Sequence, residues 1–292
     1  MKKSVLAAAF AAGLAGAVFV APAASAANTL SVCETGCAYP TLQSAVDAAQ
    51  PGDTIHLQGN LTVAGTTTVH KDVTITGTAG VTVTQTASAV TFLMSAPGSS
   101  LSGLTVTSDA PYPREFVQIG ANDVTVEGST ISGPAQALPM SGWVGNRAVV
   151  TQGGISGLSM TGNTFHSLRS GAYLNPNGSG TIAGNTVYNT KGDFLIDNAD
   201  FTFEDNRRGP AAQPSEWGFV VFATTSPDRY PSMPALSSAN NNMSAWDQRT
   251  NEKVVAPQTA ENCKDGGWST YSSPAFRNQG QCIKLVTVTA GS

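Results

Sequence analysis

The sequence predicts an all-β protein: a right-handed single-stranded parallel β-helix with a short N-terminal capping helix and a disulfide-stapled C-terminal segment. Three observations lead there. Short runs of alternating apolar residues recur along the chain, each followed by a small residue and then Asn, Asp, Ser or Thr. The interval between most runs is roughly 20 residues, the length of one strand-bearing coil. Only 12% of the 292 residues are charged, about half the usual globular share, which excludes long charged helices and a disordered polyelectrolyte.

The first element is a leader. Lys2 and Lys3 precede an apolar run through Val20, and Ala-Pro-Ala-Ala-Ser-Ala follows, so residues 1–26 read as a signal peptide and the protein as secreted and extracellular. Of the 15 Lys and Arg, two leave with it, and 13 basic residues then face 19 acidic ones. That balance argues against nucleic acid as a partner. No second apolar run reaches the ~20 residues of a membrane helix, so no transmembrane anchor is expected.

Two local cysteine pairs come next, Cys33 with Cys37 and Cys263 with Cys282. In an oxidising compartment, and without a neighbouring His to complete a zinc set, both read as disulfides, and no metal or cofactor is assigned. Between them, residues 41–50 place Leu42, Ala45, Val46 and Ala49 on one helical face, and Pro51-Gly52-Asp53 stops the helix. This helix should plug the open end of the coil, whose terminal rung exposes apolar interior and unpaired backbone.

The repeats follow, ending at Asn60, Thr78, Asp109, Ser129, Asn163, Asn185 and Asn206, with longer intervals before Asp109 and Asn163. Period-two alternation makes each a strand, and one strand per repeat can bury its inward side chains only by stacking on its equivalents. Gly and Asn after each strand tolerate the left-handed backbone of a sharp turn. Stacked Asn side chains can also bond from turn to turn. The domain division is 27–225 for the β-helix with its cap, and 226–292 for an irregular C-terminal cap holding the disulfide loop.

The run from Cys37 to Leu57, Cys-Ala-Tyr-Pro-Thr-Leu-Gln-Ser-Ala-Val-Asp-Ala-Ala-Gln-Pro-Gly-Asp-Thr-Ile-His-Leu, resembles the entry segment of the pectin lyase-like right-handed parallel β-helix superfamily. With the repeats the resemblance covers residues 37–206. It implies the fold more firmly than a reaction, because that superfamily holds lyases, esterases, hydrolases and non-catalytic surface proteins. Within it, Lys191-Gly-Asp-Phe-Leu-Ile-Asp-Asn-Ala199 resembles the pectin methylesterase segment Gly-x-x-Asp-Phe-Ile-Phe-Gly-Asn-Ala, which implies a catalytic carboxylate at Asp193. The esterase's other aspartate is replaced by Ser170 and Gly171, and its Gly-Arg-Pro-Trp signature is absent, as are the lyase signatures. The Cys263–Cys282 segment is similar to a cysteine-framed tail of secreted actinobacterial proteins.

Candidate chemistry concentrates between His166 and Arg208. A uronate lyase needs a cation to neutralise the sugar carboxylate and a base for the C5 proton, and a hydrolase needs two carboxylates. Arg169 and Lys191 with Asp193 and Asp197 are the residues for either scheme. Trp143, in the insertion 134–147, and Tyr173 are the candidate sugar-stacking rings. The function expected is a secreted, monomeric protein that engages a polysaccharide or cell-envelope glycan, as a lyase or hydrolase of an acidic polymer or as a non-catalytic binding protein.

Overall fold

The computed structural model describes residues 27–209, 215–257, 259–271 and 274–290, so residues 1–26, expected to be a signal peptide, lie outside the described residues. The chain forms a parallel β-solenoid of about nine turns. Each full turn lays strands on three faces. The first face stacks eight strands, from Thr29–Val32 through Thr54–Leu57, Thr74–Gly77, Ser100–Ser102, Thr125–Glu127, Leu158–Thr161 and Ser179–Ala183 to Asp200–Glu204. Their register puts Ile55, Ile75, Leu101, Val126, Met160, Ile182 and Phe203 in one inward column, all buried. The alternate residues Thr54, Thr74, Ser100, Thr125, Ser159 and Thr181 point outward in a parallel column. This is the period-two alternation of the sequence turned into an inside and an outside.

The second and third faces are joined by two 11-residue strands, Thr164–Leu174 and Thr186–Ile196, which run along both. They turn the corner at Ser167 and Asn189, whose φ angles of 58° and 51° are left-handed. On the third face, Thr67–Val69, Phe92–Met94, Glu115–Ile119 and Arg147–Thr151 lead to the C-terminal halves of those long strands. Trp217–Val221 and Ala245–Asp247 continue the face in parallel. Glu252–Val254 then pairs antiparallel and ends the climb.

Apolar side chains fill the interior. Phe194 lies 5.3 Å from Phe219 and 5.5 Å from Phe203, ring centre to ring centre, and all three are buried. Each such ring contributes about 2 to 3 kcal/mol by leaving water. At the corner between the first and second faces an asparagine ladder runs up the coil. Asn163 donates to Asn185 Oδ1 at 2.9 Å, Asn185 to Asn206 Oδ1 at 2.9 Å, and Asn206 to Asn240 Oδ1 at 2.8 Å. Each amide also donates to a main-chain carbonyl, those of Val126, Met160 and Ile182. These bonds satisfy buried polar groups that the interior would otherwise penalise.

One repeat is displaced from its predicted place. Leu104 and Val106 do not continue the first-face column. Leu101 does, and Gly103, at φ 64°, occupies the turn position that Gly128, Gly162 and Gly184 hold in later coils. Leu104 therefore stands where the ladder has Asn, and its N–H donates to Ser129 Oγ at 3.1 Å. Leu101 stands alone among serines three residues before the apolar pair Leu104 and Val106, so the pair obscured which residue belonged to the column.

The ends are closed as the solenoid requires. The helix Leu42–Ala48 starts at Thr41, whose hydroxyl accepts from the Ser44 N–H at 3.1 Å, and it buries Leu42, Ala45 and Val46. At the other end the Tyr230 hydroxyl accepts from the Phe201 N–H at 2.7 Å and donates to the Phe201 carbonyl at 3.0 Å, which satisfies the last strand of the first face. The apolar core continues past residue 225, through Met233, Leu236, Met243, Ala245 and Val254. Cys263 and Cys282 form a disulfide that centres a separate small cluster with Val286, Trp268, Tyr271 and Phe276. Cys33 and Cys37 form the other. Among the described residues no helix is long and apolar enough to cross a membrane.

Candidate functional site

The third face carries a groove of about 650 Å³ across its later rungs. Its floor is an outward column set by strand register, Val150, Tyr173, Leu195, Val220 and Trp246, with each residue paired to the next. Tyr173, Leu195, Val220 and Trp246 line the cavity itself. One wall rises from the starts of the same strands. Arg147 begins one strand, and Arg169 and Lys191 stand between the paired positions Leu168–Thr190 and Ser170–Gly192 of the two long strands. Successive rungs lie about 4.8 Å apart, so the three cations form a short cationic stair. Glu216 and Trp217 follow on the next rung, where Trp217 pairs with Gly192.

Among the described residues none of the three cations takes part in an ion pair. That is notable in a chain of net charge −4, where partners are in excess. Arg169 is held by main-chain oxygens of the insertion 134–147, donating to the Trp143 carbonyl at 2.7 Å and the Ser141 carbonyl at 3.3 Å. Arg147 lays its guanidinium 5.1 Å from the centre of the Tyr173 ring. Its Nη1 donates to the Gly145 carbonyl at 3.3 Å, and among the described residues its Nε is buried with no hydrogen-bond partner. Arg147 lines the groove, where the outer N–H groups of its guanidinium can donate a charge-assisted bond to an anion.

Aromatic rings occupy the far end. Trp217 and Trp246 are 5.6 Å apart at a tilt of 38°, and the Trp246 Nε1 donates to Asn251 Oδ1 at 3.2 Å. Tyr173 meets Phe222 edge to face at 5.7 Å. The Tyr173 hydroxyl donates to Asp197 Oδ2 at 3.3 Å, and burial together with that carboxylate raises the phenol above its ordinary value. Tyr173 is thus held as a hydrogen-bond donor to Asp197.

The structure brings three of the expected residues together, Arg169, Lys191 and Tyr173, and separates the rest. Asp197 sits at the groove's edge, held by Tyr173 and by the Thr224 hydroxyl. Asp193 is wholly inside the coil. Asp193 points inward from the strand Thr186–Ile196 and Asp197 lies in the bend just beyond its end, so they do not converge and Asp193 cannot touch a ligand. Trp143 is a second correction: its indole is buried and donates to the Ala137 carbonyl at 2.8 Å. It packs the insertion that presents its own carbonyl to Arg169 and offers no face to a sugar.

Arg147, Glu216, Trp217, Trp246 and Gln248 also line the groove and were not singled out from sequence. The signal that could have found them is outward position, since Trp217 and Trp246 alternate with buried neighbours in strands with an apolar interior side. Among the described residues no group of three or more His, Cys, Asp or Glu side chains converges as a metal site would require. No family model, curated protein or solved structure matches this chain. The functional reading therefore rests on the groove itself.

Proposed function

We propose that the third face binds an acidic polysaccharide, laid along the solenoid axis with its carboxylate or sulfate groups on Arg147, Arg169 and Lys191. The observation that carries this reading is three unpaired cations on consecutive rungs beside a floor of Tyr173 and Trp246. Charge-assisted bonds from two guanidiniums give geometric recognition of carboxylate or sulfate. Aromatic faces take the apolar side of a sugar ring. The leader-like residues 1–26 and the two disulfides support action outside the cell. The entry segment 37–57 and the solenoid together support the pectin lyase-like resemblance.

As built, the groove is a binding device. A hydrolase needs two carboxylates flanking the scissile bond, and here Glu216 is the acid that lines the cavity while Asp193 is interior. A second reading, elimination from a uronate, is favoured by Arg169, Lys191 and Glu216 lining one groove: Arg169 would neutralise the substrate carboxylate and the Glu216 carboxylate would take the C5 proton as the C4–O bond breaks, with the Lys191 ammonium giving a proton to the departing oxygen. Calorimetric titration with polygalacturonate, alginate and a sulfated glycosaminoglycan, against neutral dextran, tests the proposal. Binding of the anionic polymers that weakens with salt, with none to dextran, is the expected result. Equal binding of dextran, or no binding of any polyanion, overturns it. Absorbance of unsaturated uronates in the same mixtures decides between binding alone and elimination.

A further inference from the structure

Asp193 is the one carboxylate of the chain's middle that is completely enclosed, and the groove chemistry makes no use of it. Its surroundings tie it to the groove from behind. Oδ1 accepts from the Thr190 hydroxyl at 2.6 Å and from the Ser215 hydroxyl at 2.6 Å. Thr190 immediately precedes Lys191, and Ser215 immediately precedes Glu216 and Trp217, all three of them groove residues. One carboxylate oxygen therefore fastens two adjacent rungs at the point where each delivers its side chains to the wall. Its other oxygen, Oδ2, is buried without a hydrogen-bond partner among the described residues.

The charges facing this group are few. Arg208 occupies an inward position on the second face, paired with buried Val187, and its guanidinium is close enough to favour the ionised carboxylate. Tyr271 of the stapled segment lies beyond Arg208 and acts on it in turn. Thr190 and Ser215 contribute hydroxyl groups only. Lys191, two residues before Asp193, and Glu216, next to Ser215, line the outer side of the same sheet.

We infer that Asp193 is a positioning residue, a proton-dependent clasp that sets the Lys191 and Glu216–Trp217 wall of the groove. This rests on the groove being the binding site. An ionised carboxylate accepts both hydroxyl bonds strongly, whereas the neutral acid accepts them weakly and itself needs an acceptor for its new proton. Losing the charge slackens both bonds at once, and the wall moves relative to the cationic stair. Burial, the largest influence, raises the Asp193 carboxyl from its ordinary value to about 6, against the two hydroxyl bonds and Arg208, which lower it. The clasp is then closed at neutral pH and opens in mild acid.

The test needs no ligand for its main readout. In protein labelled with 5-fluorotryptophan, the Trp217 resonance is assigned by its disappearance in Trp217→Phe and followed from pH 4.5 to 8. His166, whose ring titrates at lower pH than usual because it is desolvated, is replaced by Gln throughout. The expected result is a Trp217 midpoint near pH 6 that vanishes in Asp193→Asn while the far-ultraviolet spectrum stays unchanged. Thr190→Val, which removes one bond to the ionised form, should raise the midpoint by about one pH unit. If Asp193→Asn fails to fold, that upward shift carries the test alone. A Trp217 signal that is flat in the parent, or a midpoint that Asp193→Asn or Thr190→Val leaves in place, overturns the clasp. Titration of polygalacturonate over the same range separates the two ideas. Affinity that falls below pH 6 in the parent but not in Asp193→Asn supports both. A Trp217 midpoint without polyanion binding keeps the clasp and removes the ligand reading.

Discussion

The first and third faces are made by the same coils, with the same inward alternation, yet they meet water differently. Outward from the first face stand Thr54, Thr74, Ser100, Thr125, Ser159 and Thr181, short hydroxyls that leave the sheet flat. Outward from the third face the corresponding column becomes Tyr173, Leu195, Val220 and Trp246, and Arg147, Arg169 and Lys191 rise beside it. The interior determines the coil on both sides, so the outward choice is free to vary. Where it departs from Thr and Ser, a cavity forms. The difference teaches that, in a solenoid, chemistry is written in the residues that folding does not need.

The largest expected effect comes from erasing that difference. Arg147→Ala, Arg169→Ala and Lys191→Ala combined should lower affinity for polygalacturonate by about a thousandfold, since each charged hydrogen bond contributes about 1.5 kcal/mol or more. Thermal unfolding should drop by only a few degrees, because none of the three is in an ion pair among the described residues and what folding loses is the bonds from Arg169 to the Trp143 and Ser141 carbonyls and the contact of Arg147 with Tyr173. The matching first-face variant, Thr74→Ala with Ser100→Ala and Thr125→Ala, should bind normally in the same calorimeter. Equal losses from the two triples would end the distinction between the faces.

Next in size are changes that strike both faces through what they share. Asn185→Ala removes the acceptor for the Asn163 N–H and amide, and the donor to the Met160 carbonyl and to Asn206 Oδ1. Four buried polar groups lose a bond, and a stability loss of about 3 kcal/mol by urea denaturation is expected. Asp193 produces an effect of similar size through pH. Its carboxyl is raised to about 6 in the folded state from the ordinary 3.8, so between those values the folded protein holds the proton that the unfolded chain has released. Stability is greatest near pH 4 on this account and falls as pH rises through 6, by on the order of 3 kcal/mol. Asp193→Asn should flatten that slope, measured as urea midpoints at pH 4, 5, 6 and 7. Asp247, lowered chiefly by its hydrogen bond from Arg249, acts oppositely, losing its contribution only as pH drops below 3.8.

The coil was legible in the sequence because its signal is redundant. Ile55, Ile75, Val126, Met160 and Ile182 state one pattern five times, and Asn163, Asn185 and Asn206 mark one corner three times. The groove has no such redundancy. Arg169 and Lys191 were found because ionisable residues concentrate between His166 and Arg208 and an acidic sugar calls for a cation; that they hold equivalent positions on adjacent rungs is set by the strand register. Trp217 and Trp246 belong to rungs separated by irregular chain, and no spacing announces that their rings meet. Asp193 misled for a physical reason: next to Gly192 the strand buries consecutive residues, so the alternation that normally tells inside from outside fails there. Trp143 misled because an insertion can spend its aromatic ring on its own packing.

The smallest predictions sharpen the comparison at the aromatic end. Trp217→Ala should cost about 1 to 2 kcal/mol of binding, roughly a fivefold to thirtyfold loss, if its ring carries a sugar face. Lys253 is subtler. Its exposed ammonium lies 5.2 Å from the centre of the Trp246 ring, an arrangement worth about 0.5 kcal/mol to the fold at an exposed site. The same ammonium occupies a ring face that a sugar would use, while adding one more positive charge near an anionic chain. If stacking governs this end, Lys253→Ala should tighten binding about twofold even as it lowers stability slightly, because clearing the ring outweighs a screened surface charge. If charge governs, binding should weaken instead, and more so at low salt. Calorimetric affinities at two ionic strengths distinguish the cases, and a loss that grows as salt is lowered would extend the cationic stair across the aromatic end.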